Sequence, residues 1–192
     1  LDPKYKQYEN QNDEKIVISY IGSIRFMKQN KKIIRFFKND SRFHLNFIGR
    51  NALKLKNFCK QNDIQNVTLI DEFKSADTLK FYLKTDMIMN LYGNHDPLLD
   101  YALSNKLYYA AYLYKPILVC KDTYMERITN QFKLGISLSL DDEKERDDLY
   151  NYYQNLNRKN FIYTCDEFWQ TIEMENEKLR EKIFSELVKS KR

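Results

Sequence analysis

Lys15-Ile-Val-Ile-Ser-Tyr-Ile21, closed by Gly22-Ser23, is answered further along by Phe43-His-Leu-Asn-Phe-Ile48, closed by Gly49-Arg50. Both stretches are short, rich in β-branched or aromatic residues and stopped by glycine, which reads as a buried strand. Between them Ile33, Ile34, Phe36 and Phe37 recur at helical spacing, so a helix is expected from about Asn30 to Lys38. A strand, a helix and a second strand stopped in the same way make a βαβ unit, and that unit sets the reading of the whole chain.

The alternation continues outward. A helix carrying Leu53, Leu55, Phe58 and Cys59 precedes a strand at Val67–Ile70, and Thr78 to Lys84 reads as a short helix before a strand at Asp86–Asn90. A polar loop follows from Tyr92 to Asp100. Asn105 to Tyr114 is helical, Pro116 to Val119 a strand, Met125 to Phe132 a helix, and Gly135 to Leu138 a sixth strand at an edge. Two charged amphipathic helices, Asp142 to Leu156 and Asp166 to about Lys189, close the chain, and the acidic run Asp141 to Asp148 reads as a solvated helix. The expected class is therefore α/β. Its expected form is a Rossmann-like, open, doubly wound parallel sheet of about six strands with helices on both faces and C-terminal helices appended. Residues 1–14 read as a polar linker or tail, 15–165 as the domain, and 166–192 as a C-terminal helix packing on it or toward a further domain.

Composition narrows the function classes. In 192 residues, 43% hydrophobic and 15% aromatic side chains suffice for a core, which excludes a disordered chain. The net charge of +5 is spread along the sequence without a basic stripe, so nucleic acid is not an expected partner. A weak preference for anions remains, either nucleotide phosphates or an acidic membrane surface. Cys59, Cys120 and Cys165 are odd in number and widely spaced, as reduced thiols of a cytoplasmic protein would be. His44 reads as a packed strand residue. With His95 as the only other histidine, and no Cys or Glu cluster at ligand spacing, there is no case for a metal site. No apolar run reaches the roughly 18 residues of a membrane span, and a start at Leu1 rather than Met is expected of a piece of a longer protein.

In an open α/β sheet the ligand sits beyond the carboxyl ends of the strands, where helix N-termini present free N–H groups. The residues to weigh are therefore Gly22-Ser23-Ile24-Arg25, Gly49-Arg50, Asp71-Glu72-Phe73, the loop Tyr92 to Asp100, and Ser104-Asn105-Lys106. Glycines let backbone approach a phosphate and guanidinium groups pair with its oxygens, although ordinary βα turns with surface arginines would look the same. Neither a G-x-G-x-x-G nor a G-x-x-x-x-G-K-[ST] pattern is present. His95 beside Asp96 is a solvated turn or an acid–base group. Tyr108, Tyr109, Tyr112 and Tyr114 form a half-buried helix face or an interface with another domain.

Asp100-Tyr-Ala-Leu-Ser-Asn-Lys-Leu-Tyr-Tyr-Ala-Ala-Tyr-Leu-Tyr-Lys-Pro-Ile-Leu-Val119 resembles a segment of GT-B glycosyltransferases. That segment reads roughly P-N-K-hydrophobic-Y-E-A followed by K-P-I, and belongs to the group 1 kind of capsule and lipopolysaccharide synthesis. Ile18 to Arg25, Phe47 to Arg50, Val67 to Phe73 and Thr85 to Met89 resemble further strand ends of the same family in the same order. The resemblance covers about residues 15 to 140. It implies the donor-binding, C-terminal half of a cytoplasmic enzyme, with access to the inner face of the membrane. Such an enzyme moves a sugar from a nucleoside-diphosphate-sugar, UDP- or GDP-linked, onto a saccharide or lipid-linked acceptor held by an N-terminal domain, with no covalent cofactor.

By the same resemblance Gly22, Ser23 and Arg25 face the phosphates, Gly49 and Arg50 line the floor, and the backbone from Asp71 to Phe73 meets the base. Ser104, Asn105 and Lys106 hold the diphosphate, Tyr109 meets the ribose, and Asn94, His95 and Asp96 approach the sugar. Arg25 and Lys106 are the expected stabilisers of the departing diphosphate. Two glutamates that many relatives carry stand here as Tyr101 and Tyr109. A diverged binding domain without chemistry, or a nucleotide-sugar epimerase of the same fold, are the alternative readings.

Overall fold

A computed structural model describes residues 15–189; the expected tail over 1–14 lies outside the described residues. Six strands, β1 (Ile16–Ile21), β2 (Phe43–Ile48), β3 (Val67–Ile70), β4 (Met87–Asn90), β5 (Ile117–Cys120) and β6 (Gly135–Leu138), form one sheet. Their order is β3-β2-β1-β4-β5-β6 and every described pairing is parallel. The chain steps outward from β1 to β3, then returns to lay β4 on the other side of β1. The strand order therefore reverses between β1 and β4, where this class of sheet opens a crevice.

Helices cover both faces. α1 (Met27–Phe36) and α2 (Lys56–Gln61) bridge the outward steps, while α3 (Thr78–Leu83), α5 (Asn105–Tyr112) and α6 (Tyr124–Gln131) bridge the return. A right-handed crossover forces that switch of face when the direction of travel reverses. Alternate strand residues separate two cores accordingly. Ile16, Ile18 and Tyr20 of β1 join Ile33, Phe37 and Leu149 in one, and Ile88, Val119, Leu107 and Phe168 belong to the other. Near the carboxyl edge, α4 (Pro97–Asp100) interrupts the connection from β4 to α5.

Several boundaries differ from the sequence reading. α1 starts at Met27, ahead of the expected Asn30, because Phe26 turns the chain in a left-handed conformation at φ 53°. The loop from Tyr92 to Asp100 contains α4, with Asp96 as its N-cap and Pro97 at its first position. The last two helices are α7 (Lys144–Gln154) and α8 (Arg158–Lys189), and α8 runs unbroken through residues 165 and 166. The tyrosine face of α5 is covered by α8. Tyr108 lies 6.0 Å from Phe168 and 6.2 Å from Trp169, and Tyr112 meets Trp169 edge-on at 5.8 Å.

The acidic run from Asp141 to Asp148 is not wholly a solvated face. Glu145 is buried and accepts from Lys121 Nζ at 2.6 Å and from the amides of Ser139 and Leu140. Asp86 works at the opposite, amino edge of the sheet. It accepts from the Val17 amide at 2.8 Å and from the Tyr153 hydroxyl at 3.1 Å, tying β4, β1 and α7 together. Cys59, Cys120 and Cys165 are free thiols. Among the described residues no helix is long and apolar enough to cross a membrane, and no cluster of three His, Cys, Asp or Glu stands ready for a metal ion.

Candidate nucleotide-binding site

Beyond the carboxyl ends of β1 and β4 the turns after β1 and β2 meet the loop after β4 and the start of α5. β1 and β2 are paired in step from Ile16 opposite Phe43 to Ile21 opposite Ile48, which puts the two strand-ending glycines side by side. Gly22 leaves β1 at φ +127°, a conformation that L side chains rarely adopt, and its bare Cα faces Lys106. A Cβ at Gly22 would lie 3.8 Å from Lys106 Nζ, whereas one at Gly49 would stand 2.0 Å from the Gly22 carbonyl oxygen. Gly49 is therefore required for packing beneath the turn, and Gly22 leaves its backbone bare beside Lys106.

Lys106 comes from the first turn of α5. Ser104 is the N-cap, its hydroxyl accepting from the Lys106 amide at 3.2 Å, so one of the helix's free amides is already served. Asn105 stands exposed at the same helix start. The Lys106 side chain is 8% exposed, an unusual position for an ammonium group. Its Nζ donates to the Tyr92 hydroxyl at 2.8 Å and lies over the ring of Tyr20 at 4.6 Å and that of Tyr92 at 5.3 Å. Among the described residues it has no carboxylate partner. Aromatic faces and a phenol soften the cost of burying this cation without neutralising it.

An aromatic cradle surrounds that charge. Tyr20 stacks on Phe47 at 6.1 Å and meets Tyr92 at 5.5 Å, and Phe26 meets Tyr92 at 5.5 Å. The Tyr20 hydroxyl donates to the Ser23 carbonyl at 3.0 Å, pinning the turn that carries Gly22. Burial and the neighbouring Tyr92 push the Tyr20 phenol well above its ordinary value, so it stays a neutral donor. Arg25 is exposed in the turn after β1.

The remaining expected residues divide by location. Arg50 is exposed after β2, its carbonyl accepting from Ile24. Asp71 is exposed after β3, and Phe73 packs on Phe81 at 5.0 Å. Asn94 donates to the Lys121 carbonyl at 3.1 Å, His95 is an exposed turn residue at φ 60°, and the Asp96 carboxylate accepts from the Leu98 amide at 2.9 Å. Tyr109 stacks on Tyr82 at 4.6 Å and 17°, and Tyr101 is 80% exposed. His44 sits on the sheet with Nε2 2.8 Å from Thr68 Oγ1.

Gly22, Ser23, Ser104 and Lys106 meet around the Tyr20 and Tyr92 rings; the sequence reading weighed the loop from Tyr92 but did not single out Tyr20 or Asn90. Tyr20 carries a readable signal: it is the one hydroxylated ring in an aliphatic strand, two residues before the glycine.

No protein-family model and no curated protein matches the chain. Solved structures do. The apo form of the lipopolysaccharide outer core galactosyltransferase WaaB is similar at a TM-score of 0.66 and 14% identity, over 92% of this chain and 51% of that one. HepE from Anabaena, solved in complex with UDP, is similar at 0.64 and 10% identity, over 96% of this chain and 56% of that one. The chain thus spans about half of each of these proteins. By contrast it covers 92% of the C-terminal domain of the group 1 glycosyl transferase LpcC from Francisella tularensis, which in turn covers 86% of this chain at a TM-score of 0.53 and 15% identity. The structures it resembles are group 1 glycosyltransferases of the GT-B architecture, and the fold of this chain is that of their C-terminal domain.

Proposed function

We propose that the chain binds a nucleoside-diphosphate-sugar at the carboxyl edge of β1 and β4 and serves as the donor half of a glycosyltransferase. One observation carries the reading: a buried lysine without an acidic partner among the described residues, beside a bare glycine, at the point where the strand order reverses. A buried ammonium group of this kind is matched by an anion, and a diphosphate laid over Gly22 would reach Lys106 Nζ and the first turn of α5 together. HepE, of the same fold, has been solved with UDP and glucose. The base is UDP- or GDP-type.

In transfer, negative charge grows on the leaving diphosphate as the bond to the sugar breaks. Lys106 and the α5 amides stabilise that charge from fixed positions, and Arg25 adds a second cation from the rim. The acceptor, a saccharide or lipid-linked sugar of cell-surface polysaccharide synthesis, is held by an N-terminal domain. Work at the inner face of a membrane fits such an acceptor. This chain alone is expected to bind donor and transfer little.

Calorimetric titration with UDP, GDP and their sugars tests the reading. Lys106→Met keeps the apolar stem and removes the charge. We expect nucleotide affinity to fall roughly 10- to 100-fold, the worth of a charged hydrogen bond, while the melting temperature holds or rises because an unpaired buried charge is gone. No heat from any diphosphate with the parent chain would end the proposal. A domain that kept the fold and lost its ligand is the rival reading, favoured by Tyr109, whose ring is engaged by Tyr82.

A further inference from the structure

Next to the Lys106 cradle lies a smaller space whose polar lining is poorly served. A cavity of about 190 Å³ opens between the ends of β4 and β5, α4, and the starts of α5 and α6. Leu99, Leu103, Met125 and Cys120 make its apolar wall, and Asn90 and Tyr92 border it. Tyr92 belongs to both sites, since its hydroxyl also accepts from Lys106 Nζ.

Three polar groups at or just behind this lining lack good partners. Asn90, the last residue of β4, is 4% exposed, and its Oδ1 has no hydrogen-bond partner among the described residues. The Gly93 amide donates to the Cys120 sulfur at 3.2 Å, and the Ser104 amide to the Met125 thioether at 3.4 Å. Sulfur is a weak acceptor, so an oxygen would serve either amide better. Buried polar atoms in this condition call for a complementary group.

The chemistry of that group follows from the set. A face of several hydroxyls would bury donors and lone pairs against Leu99, Leu103 and Met125, which cannot serve them. A carboxylate offers no donor to Asn90 Oδ1 and would bring its charge against that oxygen. A secondary amide matches: its N–H for Asn90 Oδ1, its carbonyl oxygen for the Gly93 or Ser104 amide, and its methyl group for the apolar wall. We infer that this cavity receives the acylamino substituent of the donor, so that the sugar transferred is an N-acylated amino sugar. Asn90 is then the specificity-determining residue. The inference rests on the donor reading above and deepens it.

The test compares matched sugars on one nucleotide. UDP and GDP are titrated first, then the glucose and N-acetylglucosamine esters of whichever binds. The acetamido ester is expected to bind the parent chain at least about tenfold more tightly, the worth of one well-made hydrogen bond with a buried methyl group. Asn90→Leu, which removes the acceptor, and Leu99→Trp, which fills the cavity from α4, should each bring the two esters level. Leu99→Trp leaves β4 untouched, so a failure of Asn90→Leu to fold does not block the test. Equal binding of the two esters by the parent overturns this inference and leaves the donor reading standing, as does a preference that survives in a folded variant. Absence of binding by either nucleotide overturns both.

Discussion

At Gly49 the backbone runs at φ +130°, and the obstacle to any side chain there is the Gly22 carbonyl of the neighbouring turn. Backbone cannot rotate aside as a flexible side chain does, so Gly49→Ala must part β1 and β2 where they carry the crevice. We expect a loss of roughly 2–4 kcal/mol from overpacking together with backbone strain, read from urea denaturation, with weaker nucleotide binding alongside. An unchanged midpoint would show that the turn relaxes freely. Gly22 and Lys106 were legible in the sequence because glycine at a strand end and lysine at a helix start carry meaning by type and place. Asn90 was not, and Tyr20 only in part. A tyrosine within an aliphatic strand reads as core, and the burial of Asn90 depends on how α5 and α6 close over β4.

For the elements, legibility followed the signals at their ends. α5 opens where Ser104 announces it, and its course toward Pro116 was foreseen, although the helix itself ends at Tyr112. Ser104→Ala should cost about 1 kcal/mol by freeing the Lys106 amide. The same change exposes one more donor to the diphosphate, so nucleotide affinity should fall less than stability does; denaturant melts and titration of one sample compare the two. α1 began earlier than expected because its start carries no Ser, Thr, Asp or Asn cap, only the left-handed Phe26. α4 was passed over although Asp96-Pro97 is a proper start signal, since four residues give no periodicity to read. The strands were the most legible elements. Short runs rich in β-branched and aromatic residues marked them, and β2 and β3 fall on the expected residues.

The molecule as a whole is tied by two carboxylates whose protonation should govern its acid stability. At Glu145 burial pushes the carboxyl up, but Lys121 and the amides of Ser139 and Leu140 outweigh it, and the group ends below the ordinary glutamate range. The hydrogen-bonded Arg42 guanidinium likewise holds Asp40 down. Both have folded values below their unfolded ones, so their contribution is complete above about pH 4.3, the ordinary glutamate value, and is lost as pH falls through the depressed folded values. The melting temperature should therefore change little from these groups between pH 7 and about pH 5 and fall below about pH 4. Glu145→Gln should start lower and descend less steeply; a parallel descent would clear Glu145 of the role. Sequence could not show this, because the partners of Glu145 lie just after β5 and just after β6, and an acidic run by itself looks solvated. The unbroken course of α8 has a mechanical corollary. Its inner turns grip the tyrosines of α5, and from Ile172 it extends some 25 Å at 1.5 Å per residue. It is a stiff spar bolted to the helix that holds the ammonium group, so a load on its tip would be felt as torque at Lys106.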